Sequence, residues 1–196
     1  MIKSVKSTEK INQSEMILNA AFECISSKGY ANVSLRDIAD EAGVVLSQLN
    51  YYYKNKEGLF TEVIKMMIRK YRQEVEYHLR NGTTPKEKIA ELIKYYQEVL
   101  EDNPKLFRLL YDFSSMALWS ASFSKLLCSL YDDLAELIET YVLKDISTNS
   151  SLMDYTSISI ARMILGAMLG TAIQVILDPQ EKRITESLNA IELVFN

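Results

Sequence analysis

Side chains that can donate and accept hydrogen bonds are concentrated between residues 47 and 56. Ser47, Gln48, Asn50 and Tyr51 fall within little more than one turn of a helix, and Lys56 adds a positive charge. Such side chains suit non-covalent recognition, because hydroxyls and amides pair with the edges of bases and lysine pairs with phosphate. The chemistry indicated by these residue types is therefore binding to nucleic acid rather than bond cleavage.

The surrounding stretch, 34 to 60, predicts two short helices, a tight turn and the start of a third helix. Ser34 can cap the first helix together with Asp37, three residues later. Gly43 then ends this helix, because glycine tolerates the positive backbone angle of a sharp turn. Two short helices joined in this way form a helix-turn-helix, whose second helix enters the major groove of DNA.

Several spaced elements in this region resemble the TetR family of bacterial transcription regulators. They are Ala20-Ala21-Phe22, Gly29-Tyr30, Arg36-Asp37-Ile38-Ala39, Ala42-Gly43-Val44, Leu49, Tyr52-Tyr53 and Asn55-Lys56-Glu57-Gly58-Leu59-Phe60. The resemblance covers about the first quarter of the chain and is specific there, because many separate elements agree at once. It implies a dimeric DNA-binding regulator with a helical effector domain.

The resemblance and the motif together predict a set of DNA contacts. They are Ser34, Arg36, Val45, Leu46, Ser47, Gln48, Asn50, Tyr51, Tyr52 and Lys56. At Val45 and Leu46 we expect no hydrogen-bonded base recognition, because both residues are apolar, whereas similar proteins often have a polar residue at the start of the recognition helix. Lys56, at the start of the next helix, is expected to face phosphate.

Composition and periodicity predict an all-α protein of about nine helices. Apolar residues recur every three to four positions almost throughout the 196 residues, which leaves little room for strands. We predict a DNA-binding domain at 1–55 and a ligand-binding and dimerisation domain at 56–196, joined by a long helix over 56–80. The pairs Thr84-Pro85, Asn103-Pro104 and Asp178-Pro179 predict further helix starts, the first capped together with Glu87 and the last opening a helix over 179–195. The first helix is predicted to begin at about residue 13, and the polar run at 144–151 to form a linker.

Charge and composition also exclude some classes of site. Residues 1–80 hold 12 Lys and Arg against 10 Asp and Glu (+2), whereas residues 81–196 hold 10 against 16 (−6). The basic excess therefore lies at the end that carries the motif. Two cysteines and one histidine cannot form an ordinary structural zinc site. Because the sequence shows no nucleophile–base pair, phosphate loop or metal cluster, we expect no cofactor, no catalytic residues and hence no enzyme.

One segment is long and apolar enough to test for a membrane span. Residues 158–177 are largely apolar but contain Arg162 and Gln174, and no basic cluster flanks them. We therefore expect a helix buried on all sides rather than a span. Residues 1–15 are polar, which predicts no secretory signal and a cytoplasmic protein without a membrane partner.

Aromatic and flexible apolar residues predict the site of a small apolar effector in the second domain. The residues expected to line it are Met67, Tyr71, Tyr96, Phe107, Tyr111, Met116, Trp119 and Phe123. Gln97, Arg108, Asp112 and Ser115 are candidate polar groups for orienting it. A packed core with no ligand explains the same spacing, and the family resemblance favours a pocket.

Small residues in the last part of the chain predict a homodimer. Gly166 and Gly170 lie four apart on one helical face, which allows close approach of another helix. Close packing within one chain is the alternative, and the resemblance favours an interface between two copies. The residues expected there are Gly166, Gly170, Ile184, Leu188 and Ile191.

Two functions remain open on the sequence alone. The first is a repressor that binds a palindromic double-stranded operator as a dimer and is released by an apolar or aromatic effector. The second is a helical DNA-binding protein without a small-molecule effector, controlled by a protein partner or acting on DNA organisation. A pocket of ligand size in the second domain separates them.

Overall fold

The computed structural model describes residues 2–144 and 155–195, with side chains described from residue 13 onward except that of residue 194. This part of the chain is helical and contains no strand, which confirms the predicted fold class. The helices are α1 (Ile2–Lys28), α2 (Leu35–Glu41), α3 (Leu46–Tyr52), α4 (Lys56–Asn81), α5 (Pro85–Asp102), α6 (Lys105–Ala117), α7 (Ala121–Ile138), α8 (Ser157–Leu177) and α9 (Lys182–Glu186). A 3₁₀ turn at Tyr30–Asn32 follows α1, a π turn at Glu139–Leu143 extends α7, and a 3₁₀ helix at Ser187–Phe195 follows α9.

The predicted capping and turn of the helix-turn-helix are confirmed. The Ser34 hydroxyl accepts from the Asp37 amide at 3.2 Å, and the Asp37 carboxylate accepts from the Ser34 amide at 2.7 Å. Gly43 has φ +64°, and the Val44 amide donates back to the Ala39 carbonyl at 3.0 Å. These contacts fix the angle between α2 and α3 through residues only three to five positions apart.

A continuous apolar core holds the motif against the rest of the molecule. Ile17 of α1, Ile38 of α2 and Leu49 of α3 are all fully buried and belong to one core cluster. Leu59 and Phe60 of α4 are buried as well, so the long helix starts inside this core. With 26 residues at about 1.5 Å each, α4 then spans roughly 39 Å into the second half of the molecule.

The end of the chain differs from the prediction of one helix over 179–195. Asp178 ends α8 by donating its amide to the Gln174 carbonyl at 2.9 Å, so it does not begin a new helix. The carboxylate of Glu181 instead accepts from the Arg183 amide at 3.1 Å, and α9 starts only at Lys182. At the other end of the chain, α1 begins at Ile2 rather than at 13. Apart from Lys144, the predicted linker at 144–151 lies outside the described residues.

The expectation that α8 is buried on all sides is wrong for the single chain. Ala161, Ile164 and Met168 are buried, whereas Met163 and Gly166 on another face are exposed. The helix has 21 residues, a mean hydropathy of 1.8 and 28% of its apolar window buried, so by length and composition it meets the criteria for a membrane span. Exposed apolar surface of this kind is typical of an interaction site.

Candidate functional site

Helix α3 presents a polar face to solvent opposite an apolar anchor. Leu49 is 0% exposed and ties the helix to the core, whereas Ser47, Asn50 and Tyr51 are exposed on the other side, Tyr51 at 68%. The Tyr51 ring contacts the Tyr52 ring edge to face, with centroids 5.3 Å apart. This face therefore carries a hydroxyl, an amide and a phenol that can reach a groove of DNA.

Two of the predicted contact residues are held from behind by α1. The side-chain amide of Gln48 donates to Gln13 Oε1 at 2.8 Å, and the Tyr52 hydroxyl donates to the same oxygen at 3.2 Å. Both side chains are half-buried. Sequence patterns assign no role to Gln13, because 35 residues separate it from Gln48.

The remaining predicted DNA contacts around the turn differ in how far their side chains are exposed. Arg36 and Val45 are exposed, Val45 at 66%, and Leu46 is half-buried. Ser34 is exposed, but its hydroxyl donates to the Asp37 carboxylate at 2.6 Å in addition to capping α2. Hydrogen bonding from Ser34 lowers the pKa of Asp37, so the cap keeps its charge.

Lys56 does not face outward as predicted. Its ammonium donates to the Tyr30 carbonyl and lies 4.2 Å from the centroid of the Tyr30 ring, a cation–π contact. Burial lowers the pKa of Lys56. Because this charge is held against the protein, we no longer expect Lys56 to contact phosphate, and the exposed Lys54 nearby becomes the better candidate.

The second half of the molecule contains a small, wholly apolar cavity at its centre. The cavity has a volume of about 30 Å³, close to the space of one water molecule. Of the predicted effector residues, Met67, Tyr71, Tyr96 and Phe107 line it. The structure thus brings half of the predicted set together, around a space smaller than a typical ligand pocket of about 300 Å³ or more.

Two tyrosine hydroxyls near this cavity are anchored on the backbone of α8. The Tyr96 hydroxyl donates to the Met168 carbonyl at 2.9 Å, and the Tyr111 hydroxyl donates to the next carbonyl, that of Leu169. Burial raises the pKa of Tyr96 well above its usual range and that of Tyr111 to about 12, so both stay protonated as donors. Tyr111 is half-buried beside the cavity rather than part of its lining.

Three predicted effector residues lie elsewhere, which corrects the sequence-based set. Trp119 is 89% exposed, because α6 ends at Ala117 and the chain turns before α7. Met116, Trp119 and Phe123 border a separate surface hollow with Tyr30. Phe123 itself is buried, with its ring 5.7 Å from that of Phe60, so it packs at the junction of the two halves of the molecule.

A larger open groove lies beside the small cavity, between α1, α4, α5 and α6. Its volume is about 560 Å³, which is within the range of ligand pockets. Met67, Tyr71 and Leu106 line both the groove and the inner cavity and so form the wall between them. No sequence pattern predicts this groove, since its residues come from four helices.

Helix α6 joins the cavity to the part of the molecule that carries the helix-turn-helix through two polar contacts. The Asp112 carboxylate accepts from the Tyr30 amide at 2.8 Å, and Lys105 forms an ion pair with Glu23 of α1 at 2.7 Å. Asp112 is thus bonded to the backbone next to α1 and does not face a ligand, contrary to the prediction. Gln97, predicted for the same role, donates to the Thr185 carbonyl at 3.1 Å and to Asn189 at 3.2 Å.

The predicted dimer residues divide into two groups. Gly166 and Gly170 are exposed on α8, and a Cβ added at either one would meet no atom of another element or side chain within 4 Å. Ile184 is half-buried. Leu188 and Ile191 are 1% and 8% exposed because they pack inside their own chain, so we withdraw them as interface residues.

Comparison with known proteins relates the helix-turn-helix segment to a family of regulators. Residues 17–63 match the model of bacterial regulatory proteins of the tetR family. The fatty acid metabolism regulator protein of Bacillus subtilis is 30% identical over 90 residues, which cover 46% of each chain. The HTH-type transcriptional regulator RutR of Escherichia coli is 31% identical over 111 residues, 54% of this chain and 52% of RutR. The matches thus span about half the length of these curated relatives.

Solved structures with the same fold extend over nearly the whole chain. A TetR transcription regulator from Haloarcula marismortui has a TM-score of 0.78 at 18% identity, covering 94% of this chain and 96% of that one. FadR from Bacillus subtilis in complex with stearoyl-CoA has a TM-score of 0.70 at 19% identity, covering 92% and 96%. The relatives are regulators rather than enzymes. The helix-turn-helix lies inside the matched segment, so residues 17–63 are similar to the tetR family of bacterial regulatory proteins, and the whole chain shares the fold of the TetR regulators.

Proposed function

We propose that the protein is a DNA-binding transcription regulator that represses by occupying a palindromic operator as a homodimer. The observation that carries this proposal is the exposed polar face of α3, formed by Ser47, Asn50 and Tyr51 above the buried Leu49. A helix anchored on one side and polar on the other fits the major groove. The match of residues 17–63 to a family of bacterial regulatory proteins supports the same function.

The dimer is supported by the exposed face of α8. Two recognition helices must lie about 34 Å apart, or a multiple of that distance, to read two half-sites of one operator. Gly166 and Gly170 leave open space beside α8, so a helix of a second copy can approach closely there. We propose that a second copy, rather than lipid, covers this apolar face. The protein is then expected in the cytoplasm.

Control by a small molecule is supported by the groove and the cavity together. The inner cavity alone is too small for an effector, but the adjoining groove of about 560 Å³ is large enough. The FadR structure contains stearoyl-CoA, an amphiphile. We therefore propose an amphiphilic effector that occupies the groove and inserts an apolar part past Met67, Tyr71 and Leu106.

Helix α6, together with α4, is the proposed route from effector to DNA. Leu106 and Phe107 of α6 line the cavity, whereas Lys105 and Asp112 of the same helix hold the DNA-binding end. A ligand that widens the cavity would displace α6 and with it the two recognition helices. A coupling of about 1–3 kcal/mol would weaken operator binding roughly 5- to 150-fold.

The function is tested by binding to DNA from either side of the protein's own gene, measured by fluorescence anisotropy. Asn50→Ala should cost about 1–3 kcal/mol on a bound sequence if Asn50 contacts a base edge. Asn81→Ala, at the exposed end of α4, is the matched control and should have no effect. Equal affinity for operator and random DNA would contradict the proposal.

The alternative is a DNA-binding protein without an effector. The inner cavity of about 30 Å³ favours it when the groove is left out of account, because this cavity is too small for a ligand. The alternative predicts that no amphiphile changes the affinity of the protein for its operator. The same anisotropy titration, repeated with added ligand, decides between the two.

A further inference from the structure

The inner cavity and the outer groove differ sharply in chemistry, although they share a wall. All the residues that line the inner cavity are aliphatic, aromatic or methionine, and none carries a charge at neutral pH. A charged group placed there would lose its hydration without gaining a partner. The inner cavity can therefore accept only an uncharged part of a ligand.

The inner cavity, at about 30 Å³, must enlarge to accept such a part. Met67 and Met168 line it from two different helices, α4 and α8. Methionine side chains are unbranched and adapt their shape to what they contact. These two side chains are therefore the ones best able to adjust as the cavity widens.

The outer groove is acidic. Its lining includes the carboxylates of Glu23, Glu74, Glu98 and Asp102 against the single ammonium of Lys70. Lys105 pairs with Glu23, but the other three carboxylates have no ion-pair partner among the residues that the structure describes. The groove therefore retains unbalanced negative charge.

Aromatic rings complete the walls of the groove. Phe22, Tyr71 and Tyr95 line it, and aromatic faces attract cations. Burial and, to a smaller extent, the nearby charge of Glu74 raise the pKa of Tyr95 to about 12, so its hydroxyl stays uncharged beside this carboxylate. The Tyr71 ring lies 6.5 Å from that of Tyr95 and forms part of the boundary with the inner cavity.

We propose that the effector is a cationic amphiphile, with an ammonium head in the groove and an uncharged alkyl or aryl tail in the inner cavity. The tail passes Met67, Tyr71 and Leu106, and the head rests near Glu74, Glu98 and Asp102. A ligand with a carboxylate, sulfate or phosphate head would face these same carboxylates and be repelled. This inference rests on the proposed function, because it names the chemical class of its effector.

The test compares three amphiphiles with the same twelve-carbon chain on the purified full-length protein. Dodecyltrimethylammonium, dodecyl sulfate and lauroyl-CoA are titrated by calorimetry below their micelle concentrations. We expect the ammonium compound to bind at least tenfold more tightly than either anion, and its affinity to fall as salt is added. Hexyltrimethylammonium should bind at least tenfold more weakly than the dodecyl compound, because less of its chain is buried.

A charge-neutral variant of the groove tests the role of the carboxylates. Glu74→Gln/Glu98→Gln/Asp102→Asn should weaken binding of dodecyltrimethylammonium about tenfold or more, the size expected for several screened charge pairs. Glu91→Gln/Glu136→Gln/Glu186→Gln removes the same charge outside the groove and should leave the affinity unchanged. Circular dichroism melting of both variants checks that each is folded.

Three results would overturn the inference. They are tighter or equal binding of an anionic probe, no binding of dodecyltrimethylammonium, and equal affinity of the two triple variants for it. Operator binding without ligand is measured on the same samples. A protein that binds the cation but no DNA contradicts the proposed function alone, whereas one that binds DNA but prefers an anion contradicts this inference alone.

Discussion

The amide of Tyr30 donates to the carboxylate of Asp112 across 82 residues of sequence, at 2.8 Å. Tyr30 follows α1 in the DNA-binding end, and Asp112 lies in α6. Gly29, next to Tyr30, has φ +81°, which points the Tyr30 amide toward α6. The two halves of the molecule are thus joined by a charge-assisted hydrogen bond in addition to their shared apolar core.

Loss of this contact should loosen the junction. Asp112→Ala removes the acceptor from a part-buried amide, and we expect a loss of about 1–3 kcal/mol in the free energy of unfolding. Asp133→Ala on α7 is the control, because no hydrogen bond or ion pair of this carboxylate is found among the described residues. Urea titrations measure both, and equal midpoints for the two variants would contradict the role of Asp112.

Lys54 and Lys56 should respond differently to removal of their charge. Lys54 is exposed beside α3, whereas the Lys56 ammonium is held by Tyr30. Lys54→Met should reduce the salt dependence of DNA binding by about one counterion, a slope change of roughly 0.9. Lys56→Met should lower the urea midpoint and leave that slope unchanged. A reduced slope for Lys56→Met would restore it as a phosphate contact.

The dimer can be separated from the stability of the chain by two substitutions. Gly170→Leu adds a side chain at an exposed position of α8, so it should dissociate the dimer while the chain stays folded. Leu188→Ala removes a side chain that is 1% exposed within one chain and should cost about 2–5 kcal/mol of folding free energy. Light scattering and thermal melting distinguish the two effects. Wild-type protein that is monomeric at micromolar concentration would contradict the interface.

Trp119, the single tryptophan, should report solvent rather than effector. At 89% exposure it should emit at long wavelength and be quenched readily by acrylamide. Trp119→Phe should leave the affinity for an effector in the groove within about twofold, because Trp119 lines neither the groove nor the inner cavity. A large blue shift of Trp119 emission on addition of ligand would show that the effector binds at the hollow beside Tyr30 instead.

The cap at the start of α5 should give the protein a specific sensitivity to acid. Hydrogen bonds from Thr83 and Thr84 lower the pKa of Glu87 from its usual value of 4.5. Because the folded pKa is the lower one, the contribution of Glu87 to stability is present above about pH 4.5 and is lost as the pH falls through the folded pKa. Glu87→Gln should therefore flatten the loss of stability in this range, whereas Glu136→Gln should not. Identical acid melting curves for both variants would contradict the effect.

Sequence patterns predicted most reliably the features that depend on residues three or four positions apart, such as helix caps. The caps formed by Ser34 with Asp37 and by Thr84 with Glu87 follow from spacing alone, and the structure confirms both. Asp178 shows the limit of predicting a helix start from a capping residue followed by proline. Its backbone amide donates to the last turn of α8, so Asp178 ends α8 and does not cap a new helix. A residue that ends one helix is not free to begin the next.

The candidate site was only half predictable, for a different reason. Met67, Tyr71, Tyr96 and Phe107 are inside continuous helices, where apolar periodicity identifies the inner face correctly. Trp119 lies beyond the last turn of α6, so helical periodicity no longer fixes its direction. Contacts such as Gln13 with Gln48 join residues that are distant in sequence, and no spacing rule connects them.

The support of Gln48 and Tyr52 by Gln13 limits how far the DNA-reading helix can be treated as a module. Both side chains hydrogen-bond to one amide oxygen of α1, well outside the helix-turn-helix itself. A chimaera that receives only residues 34–53 in a related scaffold would lose this oxygen, and Gln48 would be free to turn toward DNA. Transfer of operator preference to another regulator therefore requires α1 to be transplanted together with α2 and α3.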